Sequence, residues 1–259
     1  MNIQFYKYEG TGNDFIILDN RNNKYNNLSK AQVKFMCDRH FGIGADGLML
    51  LSLTDSFDFK MTYYNSDGGE STMCGNGGRC LVKFAYDMGI HLERYYFLAV
   101  DGPHYASFAE NSWVKLKMKD VDRLASHSKD AIVDTGSPHY VKMVSDVRHF
   151  NVVEEGRNIR YSNEFSEKGI NVNFVQPEDK NIIVRTYERG VEDETLSCGT
   201  GVTASALVFA QNKNGFNRVE VQTLGGHLAV EFQKDNDNFT NVWLCGPATF
   251  VFKGEIELK

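Results

Sequence analysis

The run Thr72-Met73-Cys74-Gly75-Asn76-Gly77-Gly78-Arg79-Cys80 places one cysteine directly before three glycines in four residues and closes on a second cysteine. Read by itself, it leaves Cys74 as half of a disulfide, a metal ligand, a buried filler or a reactive thiol. The rest of the chain decides. Shifted by 124 positions, Cys74-Gly75-Asn76-Gly77 falls on Cys198-Gly199-Thr200-Gly201. In the same register Thr11–Ile17 falls on Thr135–Val141, Thr62-Tyr63 on Thr186-Tyr187, Glu70 on Glu194 and Gly102 on Gly226. Several ungapped blocks in one register are not a chance pattern. The unit is too long for a solenoid repeat and occurs twice, so it predicts two similar lobes.

The lobe boundary is placed near residues 118 to 128, in a polar stretch, giving lobes 1–122 and 123–248. The tail 249–259 lies beyond the second repeat and is a candidate to return to the first lobe as a strand. Segments 15–18, 60–64 and 95–100 read as strands in the first lobe, and 140–144, 182–187 and 219–222 in the second. Ser29 with Gln32 predicts a capping box, followed by a helical face of Val33, Met36, Cys37 and His40 that Gly42 stops. A helix is expected after each Cys-Gly-x-Gly, the first running through Leu81, Val82, Ala85 and Met88 to Gly89. The second runs through Ala204, Ala206, Leu207 and Ala210 towards Gly215. The fold class is therefore α/β, with α+β character: two pseudo-symmetric lobes, each a mostly antiparallel sheet around a central helix.

Composition narrows the chemistry. The 259 residues are 42% hydrophobic and 24% charged, which is ordinary for a globular protein. A net charge of -6 argues against a sequence-independent nucleic-acid binder. The apolar run Leu48–Leu51 is far too short to cross a membrane. The N-terminus has no basic segment followed by an apolar one, so a secretory signal is not expected. Five cysteines, an odd number, then point to free thiols in a reducing cytoplasm.

A thiol at the first turn of a helix meets the positive end of the backbone dipole and several N–H groups without helical partners. Both favour thiolate, and such placement lowers a cysteine pKa from about 8.5. Glycines let a ligand approach those N–H groups, which also suit a carboxylate. Two thiols on opposite faces of one carbon can remove a proton on one side and return one on the other. That is cofactor-free racemisation or epimerisation. Zinc binding is poorly supported, because Cys74 and Cys80 are too widely spaced and no C-x-x-C or H-x-x-x-H occurs. Cys37, Cys80 and Cys245 read as packing residues.

Taken together, GTGNDF (10–15), DRHFGIGADG (38–47), YNSDGGE (64–70), MCGNGGRC (73–80), GSPH (136–139), NVNFV (171–175), YERGVEDETLSCGTG (187–201) and GGHL resemble the diaminopimelate epimerase family, in order and over nearly the whole chain. The resemblance implies an active site in the cleft between two related lobes. It implies interconversion of LL- and meso-2,6-diaminopimelate, in lysine and peptidoglycan precursor synthesis. It further implies a small-molecule substrate, no pyridoxal phosphate, metal or other cofactor, and a cytoplasmic homodimer that binds neither nucleic acid nor membrane. By the family pattern Cys74 and Cys198 are the acid/base pair, labelled donor and acceptor. Gly75, Asn76, Gly199 and Thr200 match backbone donors to the reacting carboxylate. Asn13, Asn65 and Asn171 match substrate-binding amides, and Glu188 and Arg189 match the pair that reads the distal amino-acid end. His139 and Glu188 match groups that tune the thiols.

Two positions depart from the pattern: Ser137 stands where many members have Asn, and Gly47 where some have Gln. Proline or hydroxyproline racemases share the two-thiol logic but resemble MCGHG, and leave GTGNDF and YERG unexplained. The phenazine-biosynthesis-type isomerases lack the cysteine pair. A redox sensor or a binding module is the remaining different class, and the intact pair of Cys-Gly-x-Gly turns argues against it.

Overall fold

The computed structural model describes residues 1–127, 129–210 and 213–258. Within the chain, contacts separate two compact units: Met1–Leu116 with Pro247–Lys259, and Lys117–Gly246. Residue 128, at the edge of the stretch expected to hold the boundary, lies outside the described residues, as does residue 259 of the tail.

The first unit begins with β1 (Asn2–Gly10), β2 (Asn13–Asp19), α1 (Lys30–Cys37), β3 (Gly47–Ser52), β4 (Phe59–Asn65) and β5 (Glu70–Ser71). Then follow α2 (Gly75–Asp87), β6 (Arg94–Ala99), β7 (Gly102–Phe108) and β8 (Val114–Lys117). The second unit holds β9 (Ala125–His127), β10 (Asp130–Asp134), β11 (Pro138–Met143), α3 (Val152–Arg160), β12 (Asn171–Glu178), β13 (Asn181–Glu188) and β14 (Asp193–Thr195). It continues with α4 (Gly199–Phe209), β15 (Gly215–Thr223), β16 (Gly226–Asp235) and β17 (Asn238–Gly246). The chain ends with β18 (Thr249–Glu257), which pairs antiparallel with β1.

The strand ladders repeat as the sequence blocks do. In the first unit β1–β2 is antiparallel, β2–β3 parallel, β3–β4 antiparallel, β4–β6 parallel and β6–β7 antiparallel. In the second, β10–β11, β11–β12, β12–β13, β13–β15 and β15–β16 follow the same alternation. Even the registers correspond: Ile17 pairs with Met49, and Val141 with Asn173. Each unit is thus a mostly antiparallel sheet around one helix. Helix α2 packs on β1, β2 and β3; α4 packs on β10 to β13. In α4 the run Val202–Leu207 is buried on every side, which its small residues Thr203, Ala204, Ser205 and Ala206 permit. A second layer forms on the other face of each sheet. Val33, Met36 and Cys37 of α1 join Ile16, Leu18, Leu48 and Leu50, and Val152 of α3 joins Tyr140, Val172 and Phe174.

Local expectations are met with a few exceptions. Both halves of the Ser29–Gln32 capping box are present. His40, however, does not belong to the face of α1, which ends at Cys37. The Asp38 side chain accepts from the His40 and Phe41 N–H groups, turning the chain out and leaving His40 exposed. Gly42 is then tucked under the helix end, where a Cβ would lie 1.9 Å from Phe35 O. Val100 falls beyond β6 and Val144 beyond β11. The second helix stops at Phe209 with Ala210 as its cap; residues 211 and 212, within the expected run towards Gly215, lie outside the described residues. Helix α3, capped by Asn151 on Glu154 N–H, had no counterpart in the sequence reading.

Candidate active site

Both repeated cysteines sit at the mouth of a helix. Cys74 is the residue before α2 and Cys198 the residue before α4, each with extended backbone (φ -93°, ψ 132° and φ -116°, ψ 109°). The first intrahelical bonds run from Gly78 N–H to Cys74 O (2.7 Å) and from Val202 N–H to Cys198 O (2.8 Å). The N–H groups between lie outside the helical ladder, at the positive end of the dipole. The other three cysteines are buried, and burial pushes the Cys37 thiol up to about 12 and the Cys80 thiol higher still.

In the first unit the GTGND stretch places Asn13. Thr11 and Gly12 form the two-residue loop between β1 and β2, both with positive φ (55° and 82°), and Asn13 opens β2 opposite Gly10. Asn13 Nδ2 donates to Asp46 Oδ2 at 2.6 Å. A carboxylate only accepts, so this bond fixes the amide with Oδ1 turned away from Asp46. That Oδ1 accepts from Cys74 Sγ at 3.6 Å and from Asn76 Nδ2 at 3.3 Å. Only the protonated thiol can donate this bond. Asp46 is held by Arg39 Nη2 at 2.7 Å, and Arg39 also binds Asp14. Burial works against the Asp14 carboxylate, but Arg39 and Lys7 outweigh it and hold its pKa down to about 2.

Behind the turn, the Arg79 side chain is fully buried. Its guanidinium donates to Asn76 Oδ1 (3.1 Å), Gly75 O (3.3 Å), Thr11 Oγ1 (3.2 Å) and Pro247 O (3.4 Å). It therefore orients Asn76 just as Asp46 orients Asn13. Asn65 lies exposed at the end of β4, opposite Gly47 in the ladder, and Gly47 in turn pairs with Phe15 beside Asn13. A Cβ at Gly47 would lie 2.5 Å from the Tyr63 ring, so no longer side chain fits there.

In the second unit His139 is fully buried in β11, and Nε2 lies 2.8 Å from Thr200 Oγ1. Thr200 Oγ1 is 3.5 Å from Cys198 Sγ. Burial lowers the His139 pKa to about 3, against the pull of Asp134, so the ring is neutral. Asn171 opens β12 and ties the next elements together. Its Oδ1 accepts from Arg189 N–H (2.9 Å), and its Nδ2 donates to Ser137 Oγ (2.9 Å) and Pro138 O (3.1 Å). Ser137, the shorter residue noted above, also accepts from Arg189 Nη2 at 3.4 Å. Arg189 is exposed and donates to Lys168 O at 3.0 Å; Glu188 accepts from Thr195 Oγ1 at 2.9 Å.

Cys74, Gly75, Asn76 and Asn13 are thus brought together in one unit, with Asn65 at the same strand ends. Cys198, Gly199, Thr200, His139, Asn171 and Arg189 gather around the corresponding turn in the other. Sequence reasoning missed Asp46, Arg79 and Asn173, which orient these groups without standing among them. Their signal was present, since each lies inside a quoted motif, but only contacts reveal what each one holds.

Comparison with known proteins agrees with this architecture. A family profile described as diaminopimelate epimerase matches residues 5–116 and 131–251. The diaminopimelate epimerase of Flavobacterium psychrophilum is 49% identical over 256 residues, covering 98% of this chain and all of that protein. That of Chlorobaculum tepidum is 42% identical over 259 residues, covering 96% and 99%. Among solved structures, a Bacillus anthracis phenazine biosynthesis protein of the PhzF family superposes with a TM-score of 0.74 at 15% identity, over the full length of both chains. A hydroxyproline epimerase from Agrobacterium vitis, with bound trans-4-hydroxy-L-proline, gives 0.68 at 11% identity, over 98% of this chain and 92% of that one. At such identities the two structures speak for the two-lobed α/β fold alone. The near-complete match to the profile and the identity over whole chains decide the rest: this chain belongs to the diaminopimelate epimerase family.

Proposed function

We propose that the protein interconverts LL- and meso-2,6-diaminopimelate by a two-base mechanism on Cys74 and Cys198. The observation that carries the reading is the pair of cysteines at equivalent helix mouths, in a chain of this family. In the reaction a thiolate takes the α-proton. The electron pair left on carbon spreads into the α-carboxylate, and the opposite thiol delivers its proton to the other face. The N–H groups of Gly75, Asn76, Gly199 and Thr200 are the donors proposed for that carboxylate, where two helix dipoles offset the developing charge. Proton transfer by a positioned group contributes roughly 100- to 10,000-fold, so this electrostatic term must supply much of the remainder.

Hydrogen-bond direction supports opposite starting states for the two thiols. Cys74 faces a fixed acceptor, Asn13 Oδ1, which suits the proton donor. For the distal end of the substrate, Arg189 suits the carboxylate and Glu188 the ammonium, with Asn65 and Asn171 as further amide contacts. His139 and Glu188 are proposed to tune the thiols. The reading includes the lobe division 1–122 and 123–248, a cytoplasmic setting suited to five free cysteines, and a homodimer.

The test is solvent exchange. LL-diaminopimelate incubated with the protein in deuterated water, without added cofactor, should gain deuterium at one α-carbon and yield the meso isomer. Cys74→Ala and Cys198→Ala should each abolish interconversion. Exchange with proline but not with diaminopimelate, or full activity in either alanine variant, refutes the assignment.

A further inference from the structure

His139 sits in a slot that the first unit fills differently. Under the repeat, His139 corresponds to Phe15, Asn173 to Met49 and Gly201 to Gly77. A Cβ at Gly77 would meet Met49 Sδ at 3.2 Å and the Phe15 ring at 3.4 Å. A Cβ at Gly201 would meet Asn173 Oδ1 at 2.3 Å and His139 Cε1 at 3.3 Å. The same glycine therefore presses on a thioether and a phenyl ring in one unit, and on an amide and an imidazole in the other. An apolar pair is a sufficient packing solution for this slot. The polar pair, buried at 0% exposure for both residues, calls for another reason.

The bond directions supply one. Asn173 Nδ2 lies 3.1 Å from Tyr140 O, which can only accept, and Asn173 Oδ1 accepts from Thr186 Oγ1 at 3.0 Å. The amide orientation is thereby settled, with the NH2 group towards Tyr140. The same Nδ2 lies 3.0 Å from His139 Nδ1. An amide nitrogen has no lone pair to offer, so Nδ1 must accept and carry no proton. The neutral ring then holds its proton on Nε2 and donates it to Thr200 Oγ1 at 2.8 Å. With its oxygen accepting from the ring, the Thr200 hydroxyl proton is directed to Cys198 Sγ, 3.5 Å away.

We propose that Asn173 is a positioning residue that fixes His139 as its Nε2–H tautomer and thereby turns the Thr200 hydroxyl proton towards Cys198 Sγ. A donor aimed at sulfur stabilises thiolate, so this relay prepares Cys198 as the base, opposite to the acceptor that faces Cys74. No net charge moves through it; it is a chain of fixed dipoles starting at the peptide carbonyl of Tyr140. The inference rests on the acid/base reading of Cys198, but its test needs no substrate and so stands or fails separately from the epimerase assignment.

The His139 tautomer is read by nitrogen-15 NMR of ring-labelled protein, with His139→Gln to assign the signals. The wild type should show the Nε2–H form; an Nδ1–H form or an even mixture overturns the proposal. Thiolate is read by iodoacetamide alkylation at neutral pH, followed residue by residue by peptide mass spectrometry. Thr200→Val should slow Cys198 alkylation by about tenfold, the effect of losing one hydrogen bond to an anion, and leave Cys74 unchanged. Thr200→Ser should restore it. Asn173→Leu should mix the His139 tautomers and slow Cys198 by a similar factor. In the Thr200→Val background it should add nothing further. Unchanged Cys198 alkylation in Thr200→Val, or an Asn173→Leu effect that persists without the Thr200 hydroxyl, overturns the relay. Thr200 is only partly buried, so its variants keep the test intact if Asn173→Leu does not fold.

Discussion

Replacing Arg79 by Met removes a side chain that joins the Thr11–Gly12 turn, the first turn of α2 and the start of the C-terminal segment. A cation near the positive end of a helix is itself unfavourable. It is tolerated because oxygens of Gly75, Asn76, Thr11 and Pro247 accept from it. Methionine restores most of the volume, so little of the cost comes from a cavity. Gly75 O keeps its place in the helical ladder, and Thr11 Oγ1 keeps its bond to Gly10 O at 2.7 Å. The groups that lose a donor are the buried Asn76 Oδ1, at about 1–3 kcal/mol, and the half-buried Pro247 O, at less than that. Relief from burying a charge offsets part of that sum, so the expected loss is about 1–3 kcal/mol. In a protein of this size it corresponds to a fall in Tm of about 2–12 °C. Urea unfolding followed by far-ultraviolet circular dichroism measures it. Arg79→Lys keeps the charge but cannot reach oxygens spread around a planar fork, and should recover less than half. Stability of Arg79→Met within about 0.5 kcal/mol of wild type would refute the argument, because the net loss expected from removing the donor to the buried Asn76 Oδ1 exceeds that.

Gly201→Ala drives a methyl into Asn173 Oδ1 and should cost about 1–3 kcal/mol by overpacking, whereas Gly136→Ala, with open space around its Cβ but φ of 110°, carries backbone strain only. Equal losses of Tm in the two variants would contradict the packing of the Gly201 slot. The Asp14 carboxyl is held at about 2 from an ordinary 3.8, so its ion pairs stabilise the fold above about pH 4 and lose that contribution as pH falls to 2. The loss is about 2 kcal/mol, and a pH series of urea midpoints should show it in the wild type but not in Asp14→Asn. His139, neutral when folded with its pKa near 3, takes up a proton below about pH 6.5 only when the chain unfolds. Stability should therefore decline as pH falls from 6.5 towards 3, and His139→Gln should flatten that decline; identical slopes would remove burial of neutral His139 from the account.

Much of the fold was legible because a duplication writes the same signals twice. The Cys-Gly-x-Gly turns announced both central helices, and alternating apolar runs announced the strands that flank them. Failures came where a local bond outweighed periodicity. His40 continues the spacing of Val33, Met36 and Cys37, but Asp38 captures two N–H groups and ends the helix first. Helix α3 escaped notice because only Val152 and Gly156 are buried in it, too few for a periodic stripe. At the site, residues with chemistry of their own could be named from motifs. Residues whose work is orientation could not. Asp46, Arg79 and Asn173 act through an amide or a ring several residues away, and a motif records that they are present without recording which atom they hold.

A two-base reaction needs one thiol and one thiolate, whereas duplication alone yields two equivalent cysteines. In the proposed mechanism the asymmetry comes from positions around the helix mouths where the copies have diverged. Asn76 corresponds to Thr200, replacing an amide that points at another amide with a hydroxyl that reaches sulfur. Asn13 corresponds to Ser137, which removes the acceptor facing the thiol in the first copy and, in the second, serves Asn171 and Arg189 instead. Phe15 and Met49 correspond to His139 and Asn173, converting a packing pair into a directed hydrogen-bond chain. Backbone, dipole and glycine spacing stay the same in both units. In the proposed mechanism, what each cysteine does follows from whether the side chain bonded to its sulfur, Asn13 or Thr200, accepts or offers a proton.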